Sequence, residues 1–261
     1  MPDTDAPVNT VLFVHHGQVN AAGAPVSLRL ALKASEPLRR FEPIIAAHDA
    51  NAGLFISGFC GVRQVFWPNP QTFVGKVIIR LSGLDSSESI LMFFRQCLRF
   101  PMSVLAQRGH FRELKPDAVH LNSSVLFSTA LAAWLRRIPI VWHVRETIAG
   151  RWFRLRRIFC RYVIPLLATR VICISPTEAK RFTNRFGNIR VVYNPVDFSR
   201  LDPDRLSREE ARSRLGLPQD ARIVISLGGC ASRKGTDLLI QALQYCCLLY
   251  TSPSPRDRGN H

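Results

Sequence analysis

The sequence predicts a doubly wound α/β fold built on a parallel sheet. Short runs of β-branched residues alternate with longer stretches that suit helices, as expected of parallel strands joined by crossover helices. Several runs are apolar at consecutive positions, which indicates strands covered by helices on both faces. Ligands of such sheets bind beyond the carboxyl ends of the strands, so the residues that follow each run are the candidate site.

The β-type runs and the stretches between them give the predicted elements. The strands are VLFVHH from 11, VIIRL from 77, AVHLN from 118, IPIVWHV from 138, RVICIS from 170, IRVVYN from 189 and RIVISLGG from 222. The helices are residues 26–34, 89–109, 125–137, 151–167 and 177–186. We expect the carboxyl ends of these strands to meet at one edge of the sheet.

A segment rich in proline and charge interrupts this alternation at residues 194–220, which predicts an interdomain connection after a first domain of residues 1–193. Within it, residues 207–215 suit a short helix with Ser207 as N-cap and Glu210 in the capping-box position. Residues 221–245 then form the first βα unit of a second domain. One strand and one helix cannot bury their own apolar faces, so we expect that domain to continue beyond this chain.

The sequence pattern of the last residues indicates that they are not part of the natural protein. Residues 247–257 read CLLYTSPSPRD, which resembles the translated transposon-end adapter of sequencing libraries. This run starts inside the helical pattern DLLIQALQY, which has no stop signal such as a C′ glycine. We therefore interpret residues 246–261 as a non-native tail and leave them out of the fold. The alternative is a genuine tail rich in serine and proline.

The charge of the chain points to an acidic partner. The 261 residues carry 35 Lys and Arg against 19 Asp and Glu, a formal net charge of +16. Such a field suits a nucleotide, an anionic bilayer or a nucleic acid. The sequence has no helix-turn-helix, zinc-finger spacing or RNP-type aromatic motif, so we do not expect nucleic acid.

Cysteine usage and the amino terminus predict a cytoplasmic protein. The seven cysteines form no CxxC pair, and those in apolar runs, such as Cys173 and Cys230, indicate buried thiols in a reducing compartment. The first ten residues carry acids where a signal peptide carries cations, and no apolar run is long enough to span a membrane. We expect any membrane contact to be peripheral.

The segment 223–243, IVISLGGCASRKGTDLLIQAL, has the order of an anion site: an apolar run, a glycine turn with adjacent cations, and a helix. Gly228 and Gly229 allow a ligand to approach the backbone, and the amide groups that open the helix point at the same place. Arg233 and Lys234 add full charges, so a phosphate or diphosphate is the expected ligand. The alternative is an ordinary turn with two solvated cations.

Two other strand ends carry candidate residues. The glycine- and alanine-rich loop after the first strand allows close approach of a ligand, or is simply a tight turn that needs small residues. The string WHVRE places His143, Arg145 and Glu146 at the end of another strand, with Asn122 in the equivalent place one strand earlier. His143 can contact a sugar hydroxyl or relay a proton, and Arg145 can hold an anion. The alternative is a satisfied core histidine.

Two segments mix arginines with large apolar residues. Residues 151–161 read RWFRLRRIFCR, and residues 89–105 read SILMFFRQCLRFPMSVL. Both suit a helix lying on an anionic bilayer. We favour the alternative of domain helices that bury their apolar sides against the sheet, with exposed arginines free to meet lipid headgroups.

Several strings, in chain order, resemble the successive blocks of glycosyltransferase family 4. They are VLFVHHGQVNAAGAPVSL, KPDAVHLNSS, PIVWHVRE, VICISPTEAKRF, IRVVYNPVDF and LGGCASRKGTDLLIQAL, so the resemblance covers residues 10–245. It implies the GT-B fold, with two Rossmann-like domains facing across a cleft. It also implies retaining, metal-independent transfer of a sugar from a UDP- or GDP-linked donor to a lipid carrier, a glycan or a small acceptor.

The resemblance assigns roles to single residues. Lys234 matches the lysine that neutralises the leaving diphosphate, with Arg233 as a helper, and His143 matches the histidine that meets the donor sugar. Asn194, which opens the hinge motif, is expected to be structural. The candidate site is His143, Arg233 and Lys234 as catalytic residues, Gly23, Ala24, Gly228 and Gly229 at the donor, and His16, Gly17, Asn122, Arg145 and Glu146 on the acceptor side.

The chain departs from the family pattern in two respects. Gly229 stands where many members carry an arginine. The resemblance also implies that the paired acidic residues that hold the donor sugar would fall beyond residue 261. We therefore expect a family 4 glycosyltransferase of cell-surface polysaccharide or glycolipid synthesis that is inactive at this length. The alternatives are a non-catalytic basic module that binds anionic membrane or nucleic acid, and a GT-B sugar-nucleotide epimerase.

Overall fold

A parallel sheet of seven strands forms the core of the part of the chain that the structure describes. The computed structural model describes residues 9–15, 23–38, 40–47, 56, 62–67, 87–146, 154–199, 201, 202, 204–220, 222–224 and 235–250. The strands are β1 (Asn9–His15), β2 (Phe41–Ala47), β3 (Arg63–Phe66), β4 (Ala118–Leu121), β5 (Ile140–Val144), β6 (Arg170–Cys173) and β7 (Ile189–Val191). Their order in space is β3-β2-β1-β4-β5-β6-β7. The predicted doubly wound, Rossmann-like sheet is confirmed.

Helices connect the strands and cover both faces. They are α1 (Gly23–Ser35), α2 (Ser87–Leu114), α3 (Phe127–Leu135), α4 (Arg154–Leu167), α5 (Pro176–Ala179), α6 (Arg208–Arg214) and α7 (Thr236–Tyr250), with a 3₁₀ turn at Glu36–Leu38. No helix among these described residues is long and apolar enough to cross a bilayer.

The order of the strands reverses between β1 and β4. From β1 the chain moves outward through β2 to β3, then returns to β4 beside β1 and moves outward the other way. The register is continuous across this point, since Val14 lies opposite Leu121 and Leu121 opposite Trp142. The carboxyl ends of β1, β4 and β5 therefore meet at the switch point of the sheet, where doubly wound folds bind ligands.

The alternation of side chains along each strand divides the core into two layers. In β1, Leu12 and Val14 face the larger layer, which also contains Phe111 of α2 and Ile164 of α4. Phe13 faces the smaller layer, packed against Leu28 and Leu32 of α1. Cys160 and Cys173 are buried free thiols of the larger layer, as the apolar runs predict, whereas Cys230 lies outside the described residues.

Two strands were not predicted. β2 reads FEPIIAA, and Pro43 argues against a central strand because proline donates no hydrogen bond to the ladder. The structure nevertheless pairs β2 with β1 on one side and β3 on the other. β3 reads RQVF, which is too short and polar to stand out as an apolar run. The strand predicted from 77 lies outside the described residues.

The helix predicted at 177–186 is wrong for most of its length. The helix α5 ends at Ala179, and turns follow it. The physical reason is a tertiary hydrogen bond, because the Thr183 amide donates to the carbonyl of Arg161 in α4 at 3.1 Å rather than to the preceding helical turn. The helix predicted at 89–109 is longer than expected, since α2 continues through Gly109 and ends before Lys115, whose φ is 44°.

The chain divides into two compact units, Met1–Leu201 and Asp202–His261. In the second unit α6 has the predicted cap, since the Ser207 hydroxyl accepts from the Glu210 amide at 3.1 Å. Residues 222–224 of the last predicted strand are described and lie in no strand, and its remainder is outside the described residues. The predicted tail begins at 246, within α7. The domain boundaries at 193, 220 and 245 stay predictions.

Candidate functional site

Asn122 is the centre of a polar cluster at the switch point. It directly follows β4, its side chain is fully buried, and its amide donates to the carbonyl of Val14 in β1 at 3.0 Å. Its side-chain Nδ2 lies 3.2 Å from Nδ1 of His15 and donates to the carbonyl of Ala24 at 3.3 Å. Asn122 therefore joins the end of β1 to the first turn of α1.

Arg145 extends this cluster from the end of β5. Its Nε donates to Oδ1 of Asn122 at 2.5 Å, and its Nη1 donates to Oδ1 of Asn194 at 2.7 Å. Burial lowers the pKa of Arg145 to about 10, against the attraction of Glu146, so the guanidinium stays charged at neutral pH. Its two side-chain acceptors are neutral amides. Its Nη2 is buried and has no hydrogen-bond partner among the described residues.

Glu146 fixes the loop between β4 and α3. Its Oε1 accepts from the Ser123 hydroxyl at 2.5 Å, and its Oε2 accepts from the Ser124 amide at 3.0 Å. The carbonyl of Ser123 in turn accepts from Nε1 of Trp142 at 2.8 Å. Both carboxylate oxygens of Glu146 are thus used within the protein, and they hold the backbone next to Asn122 in place.

Two histidines lie on the face of the sheet opposite to Trp142. His143 is 7% exposed, and its ring centroid is 5.5 Å from that of His120, which stacks on Phe13 at 4.9 Å. Nε2 of each histidine is buried and has no hydrogen-bond partner in the described part of the chain. Each ring therefore has one nitrogen whose hydrogen-bonding capacity the described residues do not use.

Burial keeps both imidazoles neutral. Loss of solvent, followed by the charge of Arg145 and then His120, lowers the pKa of His143 to about 2. Loss of solvent and the charge of Arg145 lower the pKa of His120 to about 3. A ring with so low a pKa is a poor general acid at neutral pH, but a neutral imidazole still donates one hydrogen bond and accepts another.

The structure brings some of the predicted site residues together. Ala24, Asn122 and Arg145 are linked by hydrogen bonds, with Glu146 and His143 next to them in sequence. Gly23 begins α1, and a Cβ added there would meet nothing within 4 Å, so packing does not require a glycine. The remaining predicted residues lie outside the described residues: His16, Gly17, Gly228, Gly229, Arg233 and Lys234.

Some residues of the cluster were not predicted to belong to the site. His15 is next to the predicted His16, and the apolar run that contains both gives no signal to separate them. Ser123 and Ser124 follow Asn122 in sequence, and their signal is that position after a strand end. Asn194 was assigned to a structural hinge, and the structure makes it a hydrogen-bond partner of Arg145.

Metal ligands are not grouped in the described part of the chain, where no cluster of three or more His, Cys, Asp and Glu residues could hold an ion. The chemistry available at the described edge is therefore that of one cation, neutral imidazoles and amide dipoles. Such groups bind sugar hydroxyls and phosphate oxygens.

Comparison with known sequences identifies the family. Residues 76–200, which include β4 to β7 and every residue of the cluster from Asn122 to Asn194, match Glycosyltransferase Family 4. This part of the chain is of the glycosyltransferase family 4 type. The resemblance seen in the sequence is thereby confirmed.

Two curated relatives agree with this assignment. A D-inositol 3-phosphate glycosyltransferase of Streptosporangium roseum is 32% identical over 181 residues, which are 62% of this chain and 40% of the relative. The UDP-N-acetylglucosamine–N-acetylmuramyl-(pentapeptide) pyrophosphoryl-undecaprenol N-acetylglucosamine transferase of Mycobacterium sp. strain KMS is 31% identical over 138 residues, 50% of this chain and 33% of the relative. The family 4 chain thus spans less than half the length of either relative.

A solved structure shares the fold. The structure of Anabaena HepE in complex with UDP and glucose superposes with a TM-score of 0.57 and 19% sequence identity, covering 90% of this chain and 57% of that one. At this identity the likeness concerns the fold alone, which is the Rossmann-like α/β arrangement of GT-B glycosyltransferases.

Proposed function

We propose that this family 4 chain is part of a retaining glycosyltransferase that moves a sugar from a nucleotide-sugar to a lipid-linked or glycan acceptor in cell-surface polysaccharide or glycolipid synthesis. The observation that carries the proposal is the buried cluster of Asn122 and Arg145 at the switch point of the sheet, with His143 beside it. The name of the mycobacterial relative supports it, because that protein uses a UDP-sugar and an undecaprenol-linked acceptor.

In this proposal His143 contacts the donor sugar as a neutral group. Cleavage of the glycosidic bond builds positive character on the sugar and negative charge on the leaving diphosphate. A protonated histidine next to that sugar would oppose the positive charge, whereas a ring with its pKa lowered to about 2 can accept or donate a hydrogen bond without doing so. The low pKa therefore suits a polar contact and does not suit a proton donor.

In this proposal, residues of the second unit neutralise the negative charge on the leaving diphosphate. We assign Lys234, helped by Arg233, to the leaving diphosphate, and Gly228 and Gly229 to the close approach of the backbone to it. Fixed cations at that oxygen supply the charge that a metal ion supplies in other transferases, so the reaction needs no metal. The donor in this proposal is a UDP- or GDP-sugar.

The acceptor side is assigned to the first unit. Asn122 and Arg145 are joined by a hydrogen bond, and Asn122 also donates to the carbonyl of Ala24, which we assign to the donor. Glu146 acts through the loop that it holds, because both of its oxygens are already hydrogen-bonded to Ser123 and Ser124. His16 and Gly17 complete the acceptor side, whereas Gly23 and Ala24 of the same region are assigned to the donor. We place the enzyme in the cytoplasm, peripheral at the inner face of the membrane.

The test uses the full-length protein with a panel of UDP-, GDP- and ADP-sugars and a lipid-phosphate acceptor. We expect release of one nucleoside diphosphate and a glycoside whose anomeric configuration, read by NMR, is that of the donor. The 261-residue chain alone should transfer no sugar. Conversion of the donor to its C2 epimer without an acceptor would favour the epimerase, and an inverted product would contradict retention.

A further inference from the structure

The outer sides of α2 and α4 share an unusual composition. On α2, Leu98, Met102 and Leu105 are 78%, 70% and 63% exposed. On α4, Ile158, Tyr162 and Leu166 are 49%, 54% and 57% exposed. The spacing of three and four residues places each set in one stripe along its helix. These six residues form what we call the outer apolar face.

Both stripes lie on the same side of the sheet. The opposite side of α2 buries Val104 and Phe111 in the larger core layer, and the opposite side of α4 buries Cys160 and Ile164 in that layer. Two helices that bury their inner sides against one face of a sheet turn their outer sides away from it together. The outer apolar face is therefore exposed, and none of the core residues that the structure describes in the first unit covers it.

Exposed arginines accompany each stripe. Arg157 and Arg161 form a row beside the stripe of α4, whose sequence RLRRIFCRYVIPLL contains no acidic residue. Arg99 and Arg108 are exposed on either side of the stripe of α2. A second copy of the chain would bring like charges together on this face, which opposes self-association. An anionic surface would meet the arginines with opposite charge while apolar groups enter it.

We propose that the outer apolar face of α2 and α4 is the surface by which this protein lies on an anionic lipid bilayer. Large apolar side chains rimmed by arginines are the pattern of helices that lie in the plane of a membrane interface. The inference deepens the proposed function, since it gives the route to a lipid-linked acceptor. The binding itself requires no nucleotide-sugar and no sugar transfer.

The first test measures the electrostatic contribution to vesicle binding. Binding of the chain to phosphatidylcholine vesicles with and without phosphatidylglycerol is followed by flotation. The variant Arg157→Gln/Arg161→Gln should bind anionic vesicles more than about tenfold more weakly, since each arginine near such a surface contributes about fivefold. The control Arg185→Gln/Arg190→Gln removes the same charge from exposed residues outside α2 and α4 and should change binding less than about twofold. Equal losses in the two variants would overturn the proposal.

The second test measures the apolar part at high salt, where charge is screened. Leu98→Ser/Met102→Ser/Leu105→Ser should lower residual vesicle binding by about tenfold or more. Phe198→Ser, which changes a residue 75% exposed in the same unit, should leave it unchanged. These side chains are exposed, so the fold should survive, and an unchanged far-UV spectrum checks this. Unchanged binding by the triple serine variant would overturn the proposal.

Other occupants of the face give distinct results. If the chain is a dimer by sedimentation, the triple serine variant is a monomer and neither binds vesicles, then a second copy covers the face and the proposal is wrong. Sugar transfer to a water-soluble acceptor without vesicle binding would also overturn it while leaving the proposed function intact. Vesicle binding with the predicted losses supports it even if no sugar is transferred.

Discussion

Arg145 is a half-buried cation whose side-chain acceptors are two neutral amides, Asn122 and Asn194. Such hydrogen bonds offset the free-energy cost of removing a charge from water. Loss of one partner leaves part of the guanidinium with neither water nor an acceptor. Asn122 also holds β1 and the first turn of α1. The stability of this edge therefore depends on a residue that the sequence marks only by its place after a strand.

Asn122→Ala should lower the free energy of unfolding of the first unit by about 2 kcal/mol, because the hydrogen bond to a buried charged group is lost. Asn184→Ala, at an exposed position of the same unit, should change it by less than about 0.5 kcal/mol. Urea unfolding followed by tryptophan fluorescence reports this unit alone, since every tryptophan precedes residue 202. Equal effects of the two changes would contradict the assigned role of Asn122.

The neutral histidines give the first unit a pH dependence of known sign. The pKa of a histidine in the unfolded chain is about 6.5, whereas burial holds His143 near 2 and His120 near 3. Below pH 6.5 the unfolded state binds more protons than the folded state. The stability from keeping these rings neutral is thus complete above pH 6.5 and is lost as the pH falls below it.

Between pH 7 and pH 5 we expect each histidine to remove about 2 kcal/mol from the free energy of unfolding. Urea titrations at a series of pH values measure how steeply the free energy of unfolding changes with pH. His143→Gln should reduce the slope, because glutamine does not titrate in this range. His110→Gln is a milder control, since burial lowers the pKa of His110 but its ring is less buried. A slope that His143→Gln leaves unchanged would show that His143 does not carry the effect.

At the scale of single residues, the sequence predicts the strand-end positions and misses the contacts between them. Asn122 and Arg145 each follow an apolar run, and parallel strands bring such positions to one edge. Asn194 is 49 residues from Arg145, and nothing in its neighbourhood indicates a hydrogen bond to an arginine. Whether His15 or His16 faces the cluster depends on which alternate residues of β1 point to each face of the sheet. An unbroken apolar run does not define this alternation.

At the scale of elements, the prediction succeeds where a run is long and apolar and fails where tertiary contacts override local pattern. The strands β4 and β5 lie within their predicted runs. The strand β2 was missed because Pro43 weakens its signal, although pairing with β1 and β3 holds it in the sheet. The helix α5 is short because the Thr183 amide bonds to α4, a contact no local sequence window contains.

The two sides of α4 should respond differently to truncation. Ile164 is fully buried in the larger core layer, whereas Leu166, two residues later, is 57% exposed. Ile164→Ala should lower the free energy of unfolding by about 2–5 kcal/mol through the lost burial and the cavity that remains. Leu166→Ala should change it by less than about 0.5 kcal/mol.

The same fluorescence-detected urea unfolding measures both variants. A large loss in Leu166→Ala would mean that the outer side of α4 is packed within the protein, and the membrane surface would then need another location. A small loss in Ile164→Ala would place α4 away from the core. The pair thus checks the division of α4 into an inner and an outer side before any vesicle is used.

At the scale of the whole molecule, the chain order fixes which unit supplies which charge. The first unit contains the neutral histidines and Arg145, and the second contains Arg233 and Lys234. The sheet of the first unit followed from its alternation of runs and helices. The predicted first strand of the second unit lies mostly outside the described residues, so its pairing stays a prediction.

If Lys234 neutralises the leaving diphosphate, its removal should act on the chemical step more than on donor binding. In the full-length protein, Lys234→Met should lower kcat for sugar transfer by about 10²–10³-fold with a smaller change in the KM of the nucleotide-sugar, because the charge on that oxygen is greatest in the transition state. Lys180→Met removes a lysine from the turn after α5 and should leave both constants within about twofold. Steady-state transfer rates with the preferred donor measure the separate effects on kcat and on KM. A rise in KM at constant kcat would assign Lys234 to ground-state binding alone, and equal losses in the two variants would remove it from the site.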